Sequence, residues 1–97
     1  MRDKFIIKPI NVNGCTITKV IVDSHVRKHP DITDDIILDL VRTLDGGDFR
    51  PADVKPPFEY YVNLEFLGDK QYRIVWLLDQ HEIYIGVVTV YRDERKS

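Results

Sequence analysis

The sequence lacks several features that would by themselves point to a class of protein. Cys15 is the only cysteine in 97 residues, so an internal disulfide and a metal or redox site of the CxxC type are both excluded. No apolar run approaches the roughly 20 residues that a membrane-spanning helix needs. The opening stretch MRDKFIIKP lacks the apolar run and cleavage site of a secretory signal. We therefore expect a cytoplasmic protein with no membrane partner.

Net charge is also small, since 14 basic residues are set against 16 acidic ones. Non-specific affinity for nucleic acid comes mainly from clustered Lys and Arg, so any RNA site would have to be a local patch. The apolar fraction of 43% and the charged fraction of 31% are typical of a folded globular protein. This length supports one hydrophobic core, and we expect a single domain over residues 1–97.

The first part of the chain has the pattern of a β-hairpin. Asn13 and Gly14 lie between two β-rich runs, and both residue types tolerate the positive φ of a tight turn. The hairpin is expected over residues 1–23. Pro9 cannot donate a ladder hydrogen bond, so the first arm should be an edge strand or be interrupted there.

A helical pattern follows the hairpin. Four apolar residues recur at i, i+3, i+4 and i+7, namely Ile37, Leu40, Val41 and Leu44. Thr33 can cap the first turn, and the pair Gly46-Gly47 can end the helix. The spacing predicts a helix over residues 33–45.

The rest of the chain is expected to be mainly strand. The segment GGDFRPADVKPP has two glycines and three prolines and should cross the surface without regular structure. The runs FEYYVNLEFL, QYRIVWLLD and EIYIGVVTVYR predict a three-stranded antiparallel meander over residues 58–92. The fold class is therefore α+β, with one main helix packed on a mainly antiparallel sheet in the order β-β-α-β-β-β.

Alternation along the meander predicts which side chains share the buried face. The sets are Tyr60, Val62, Leu64 and Phe66; Tyr72, Ile74, Trp76 and Leu78; and Ile83, Ile85, Val87, Thr89 and Tyr91. The opposite face is only half polar, because it includes Val75, Leu77, Tyr84, Val88 and Val90. A partner chain or the N-terminal hairpin is expected to cover part of it.

Two stretches carry a resemblance to a known group. One is SHVRKHPDITDDIILDLV, which begins at Ser24, and the other is YRIVWLLDQHEIYIGVVTVYRDER, which begins at Tyr72. Over about residues 24–97 the chain resembles small RNA-cleaving toxins of the RelE, ParE and BrnT type, in the barnase, EndoU, colicin and RelE-like nuclease group. The resemblance implies a RelE-like meander, a metal-independent endoribonuclease or an inactive relative of one, an RNA substrate and a cognate antitoxin. The chain has one helix before the meander where such toxins have two, and it is not basic, which leaves catalysis open.

The stretch SHVRKH supplies the first candidate catalytic residues. Cleavage of RNA by its own 2′-hydroxyl needs a base, an acid and a cation, with no cofactor and no metal. His25 and His29 titrate near neutrality and can exchange these protons, and Arg27 lies between them. The alternative is a solvated connector before the helix, and two histidines without a third ligand do not make a metal site.

The meander supplies the remaining candidates. Arg73 and Arg92 are expected to face the same way on neighbouring strands, where they could clamp one phosphate. Tyr91 can donate a hydrogen bond, although alternation places it on the other face. The alternative for both arginines is an ion pair with Glu59 or Glu65 across the sheet.

A non-enzymatic function is the second hypothesis. The half-apolar face of the meander, or an edge of the sheet, can dock a protein partner. The chain would then be an accessory domain from a mobile element or toxin operon, with a homodimer or another bound protein as its working form. This hypothesis predicts no nuclease activity.

Overall fold

The computed structural model describes residues 2–24, 26 and 30–93. Its elements are β1 (Arg2–Val12), β2 (Cys15–Asp23), α1 (Asp34–Arg42), β3 (Asp53–Lys55), β4 (Phe58–Leu67), β5 (Lys70–Asp79) and β6 (Tyr84–Arg92). The α+β class is confirmed. The expected element order lacks one strand, because β3 forms inside the segment rich in Gly and Pro that was expected to be irregular.

The strands form one mixed sheet in the order β1-β2-β6-β5-β4-β3. Neighbouring strands are antiparallel except β2 and β6, which are parallel. The chain therefore builds one edge with the hairpin and crosses over through α1. It then returns along the meander from the opposite edge, so β1 and β3 are the outermost strands.

The hairpin has the turn that its sequence predicts. Asn13 and Gly14 have φ values of 51° and 78°, which is the left-handed region that Asn and Gly tolerate best. The register of β1 against β2 shifts between Ile6 and Ile10, a stretch that contains Pro9. Strand β1 is continuous and lies at the edge of the sheet, which confirms the first of the two alternatives expected from Pro9, an edge strand.

Helix α1 begins at the predicted cap and ends earlier than predicted. Thr33 Oγ1 accepts a hydrogen bond of 3.3 Å from the Ile36 amide, which is the N-cap geometry. The helix ends at Arg42, and Gly46 then takes a φ of 80°. Ile37, Leu40 and Val41 are fully buried, as the spacing predicts.

The side of the sheet that α1 covers, here called the helix side, carries Tyr61, Ile74, Trp76 and Leu78. These residues are at most 1% exposed and belong to the same core cluster as the buried helix residues. The opposite side, here called the outer face, carries Val62, Leu64, Phe66, Val75 and Leu77, none of which is buried.

A bulge in β6 reverses the predicted faces of its second half. Val75 lies opposite Thr89 and Trp76 lies opposite Val87, so Val88 is an extra residue in β6. Val90 is consequently buried on the helix side, whereas Thr89 and Tyr91 lie on the outer face. The expectation was wrong for these three residues because one inserted residue shifts alternation by one position.

Candidate functional site: the open edge of β4 and the outer face

Strand β4 turns its apolar residues away from the core. Tyr61 is paired with Trp76 on the helix side, so Tyr60 and every second residue after it lie on the outer face. The exposed fractions are 46% for Val62, 48% for Leu64 and 64% for Phe66. The prediction that this set is buried was wrong. The set opposite it, which is largely polar, faces α1 instead.

The same three residues direct their main-chain groups to an unpaired edge. The Ala52 amide donates a hydrogen bond of 2.7 Å to the Tyr60 carbonyl, which therefore points away from β5. Since main-chain direction repeats every second residue, the N–H and C=O groups of Val62, Leu64 and Phe66 point the same way. Strand β3 pairs only with residues 58–60. In the part of the chain that the structure describes, no strand pairs with residues 62–66 on this side, here called the open edge.

The other edge of the sheet differs from the open edge in the features that discourage pairing. On β1, Lys4 and Lys8 place charges along the edge, and Pro9 lacks a donor. The register shift before Ile10 also makes the ladder of this strand irregular. Residues 62–66 have the sequence VNLEF, with neither a lysine nor a proline. The open edge is therefore the more competent of the two to accept another strand.

On the helix side of this edge lie Asn63 and Glu65. Asn63 Oδ1 accepts a hydrogen bond of 2.8 Å from Trp76 Nε1, which leaves the Asn63 amide nitrogen available as a donor. Glu65 is half-buried, and burial raises the pKa of its carboxyl above the usual value. A hydrogen-bond donor placed beside Glu65 would offset that desolvation.

A hydrogen-bonded chain around Tyr61 fixes the start of β4. Its ring stacks on Trp76 with centroids 4.2 Å apart. Its hydroxyl donates to Glu59 Oε1 at 2.9 Å and accepts from Asn13 Nδ2 at 2.8 Å. Burial, reinforced by Glu59, raises the pKa of Tyr61 to about 12. Asn13 Oδ1 also accepts from the Phe49 amide, so these contacts tie the hairpin turn to β4.

A groove of about 140 Å³ lies on the outer face, next to the start of β4. Its apolar lining includes Ile21, Phe58, Tyr60, Leu77, Tyr84 and Val88. Gly86 forms part of the floor, and a Cβ at this position would lie 2.9 Å from Leu77 Cγ. Tyr60 and Leu77, which line the groove, are paired across β4 and β5, and the next pair on the same face is Val62 with Val75.

Of the candidate catalytic residues, the structure brings Arg73 and Tyr91 together and separates them from Arg92. Arg73 lies directly opposite Tyr91 on the outer face, whereas Arg92 lies opposite Tyr72 on the helix side. The expectation that the two arginines face the same way was wrong because of the bulge. Arg73 pairs with Asp93 rather than with Glu59 or Glu65, through contacts of 3.0 Å from Nε and 2.9 Å from Nη2.

The remaining candidates, His25, Arg27 and His29, lie outside the described residues. Among the described residues, no group of three or more His, Cys, Asp and Glu side chains is placed to hold a metal ion. The described helix is also too short to cross a membrane.

Sequence reasoning missed Val62, Leu64 and Phe66 as surface residues, because strict apolar alternation normally marks the buried side of a strand. One feature of the sequence did indicate the other orientation. The mainly polar set of β4 includes Tyr61, whose large ring can pack in the core. Comparison with protein-family models, curated proteins and solved structures found no match for this chain.

Proposed function

We propose that this chain is a protein-binding domain that accepts an extended strand of another polypeptide along the open edge of β4. The observation that carries the proposal is the coincidence of two features at Val62, Leu64 and Phe66. Their side chains are about half exposed, and their main-chain groups lie on an edge with no described partner strand. The occupant is an extended segment with apolar side chains at alternate positions, because only that pattern matches both features.

The energetics indicate that side-chain burial alone is too small to hold a partner. Burial of a large aliphatic or aromatic side chain contributes roughly 1.5–3 kcal/mol, so covering three half-exposed ones contributes about 2–4 kcal/mol. Each main-chain hydrogen bond adds about 0.5–1.5 kcal/mol. Association costs about 4–15 kcal/mol in lost freedom. The edge therefore needs both its hydrogen bonds and its apolar side chains to hold a partner.

The test uses a synthetic peptide, YYVNLEFL, and an ¹⁵N-labelled sample of the full chain. We expect the peptide to shift the amide resonances of residues 62–66, and a peptide with proline at both central positions to have no effect. Leu64→Lys should weaken peptide binding at least tenfold. Ile6→Lys is the matched control, because Ile6 is 73% exposed on the opposite edge. The proposal would be overturned if the peptide caused no resonance shifts, or if Leu64→Lys and Ile6→Lys weakened peptide binding equally.

The metal-independent endoribonuclease implied by the RelE-like resemblance is the second candidate. The juxtaposition of Arg73 and Tyr91 on the outer face favours it, since a guanidinium and a phenol can both contact a phosphate. The ion pair with Asp93 counts against it, because it neutralises the Arg73 charge. RNA cleavage in the presence of EDTA, lost in Arg73→Ala, would establish this function. Intact RNA would exclude it.

A further inference from the structure

We infer that the strand accepted at the open edge is β4 of a second copy of this chain, antiparallel to the first, with Leu64 opposite Leu64 of the second copy. The inference rests on the proposed function and names its partner. The result would be a two-fold symmetric dimer in which the two sheets join into one. Such an interface uses the same residues on both sides, so they must be self-complementary.

The direction of the main-chain groups restricts the register. Only even-numbered residues of β4 present N–H and C=O groups at the open edge, so even residues must pair with even residues. Pairing Leu64 with itself places Val62 opposite Phe66 of the second copy. All three then exchange main-chain hydrogen bonds across the two-fold axis.

The two neighbouring registers are unfavourable for physical reasons. A pair centred on Asn63 would place Phe66 of one copy opposite Tyr60 of the other. The Tyr60 carbonyl could not join this pairing, because it already accepts a hydrogen bond from the Ala52 amide. Centring it on Glu65 would place the two carboxylates directly opposite each other, where like charges repel. The register centred on Leu64 avoids both conflicts.

This register also matches side chains on both sides of the sheet. On the outer face, Val62 and Leu64 of one copy lie beside Phe66 and Leu64 of the other, which covers the most exposed apolar side chains of β4. On the helix side, Asn63 lies opposite Glu65 of the second copy. The Asn63 oxygen already accepts from Trp76, so its amide nitrogen can donate to that half-buried carboxylate.

The size of the contact predicts a dimer that dissociates on dilution. Five residues of one edge bury less than the ~800 Å² per partner of a standard stable interface. Interfaces below that size belong to the weak, transient class. The monomer and the dimer should therefore both be detectable at accessible concentrations.

The test combines light scattering of the unmodified chain with cysteine cross-linking in a Cys15→Ser background. Leu64→Cys should form a disulfide-linked dimer on mild oxidation, because Cα atoms of a hydrogen-bonded antiparallel pair are ~5.5 Å apart. Val62→Cys and Phe66→Cys should not cross-link when oxidised separately, since each lies ~14 Å from its own symmetry copy. A mixture of these two variants should cross-link.

The outcomes separate this inference from the function on which it rests. A concentration-dependent dimer with the cross-linking pattern above supports both. A chain that stays monomeric overturns the inference that the partner is a second copy. A dimer that cross-links at other positions overturns the inferred register. In either case, binding of the YYVNLEFL peptide at residues 62–66 would leave the strand-accepting function standing. Failure of peptide binding and of dimerisation together overturns both.

Discussion

Trp76 Nε1 donates a hydrogen bond of 2.8 Å to Asn63 Oδ1, and this contact explains why β4 faces the core with its polar residues. A buried indole N–H needs an acceptor, and Asn63 supplies it from the neighbouring strand. Glu59 does the same for the Tyr61 hydroxyl. The polar set of β4 therefore satisfies buried aromatic groups, and the apolar set is left on the outer face.

Replacing Asn63 by Ala should lower the free energy of unfolding by about 1–3 kcal/mol, because the Trp76 indole would lose its acceptor. Urea denaturation followed by circular dichroism measures the change. The matched control is the same substitution in a Trp76→Phe background, where no indole N–H remains. There, Asn63→Ala should cost much less. Equal costs in the two backgrounds would show that the hydrogen bond does not orient β4.

Tyr61 should ionise only at high pH, since its pKa is raised from 10.0 to about 12. Between these values the unfolded chain loses the Tyr61 proton while the folded chain keeps it, so stability falls as pH rises from about 10 to about 12. Tyrosinate absorbance should show one late titration that is absent in Tyr61→Phe. If both proteins give the same curve, the buried hydroxyl network does not hold the proton.

Gly86→Ala should lower stability by about 1–3 kcal/mol, because the new Cβ overlaps the Leu77 side chain in the groove of the outer face. The Cβ would lie 2.9 Å from both Leu77 Cγ and Cδ1. In a Leu77→Ala background the same substitution should cost nothing further, because the overlapping atoms are gone. Thermal unfolding of the four proteins forms the double-mutant cycle. Identical losses in both backgrounds would place the strain elsewhere.

Local signals in the sequence predict the hairpin turn and the start of the helix correctly. Asn13-Gly14 and Thr33 act through their own backbone and side-chain chemistry, which tertiary context does not change. The α+β class follows from these elements and the three long strands. The short strand β3 was missed because only three residues pair there, between prolines that suggest a loop.

The face of β5 was predicted correctly, since Tyr72, Ile74, Trp76 and Leu78 are all buried. The faces of β4 and of the second half of β6 could not be predicted, because each depends on a contact outside its own strand. The alternation of β4 is strongly apolar at even positions, and only its pairing with Trp76 shows that the odd positions face α1. In β6, Val87 and Val88 are chemically identical, so nothing local marks Val88 as the extra residue. The arrangement of Arg73, Tyr91 and Arg92 follows from that bulge.

Amide hydrogen exchange along β4 measures whether the open edge accepts another strand. The amides of Asn63 and Glu65 point toward β5 and should be protected in every sample. The amides of Val62, Leu64 and Phe66 should exchange fast in dilute protein and become protected in concentrated protein or with saturating YYVNLEFL peptide. The expected result is therefore protection that alternates along β4 and depends on concentration only at the even-numbered residues. Fast exchange of the three even-numbered amides in all three samples would contradict it.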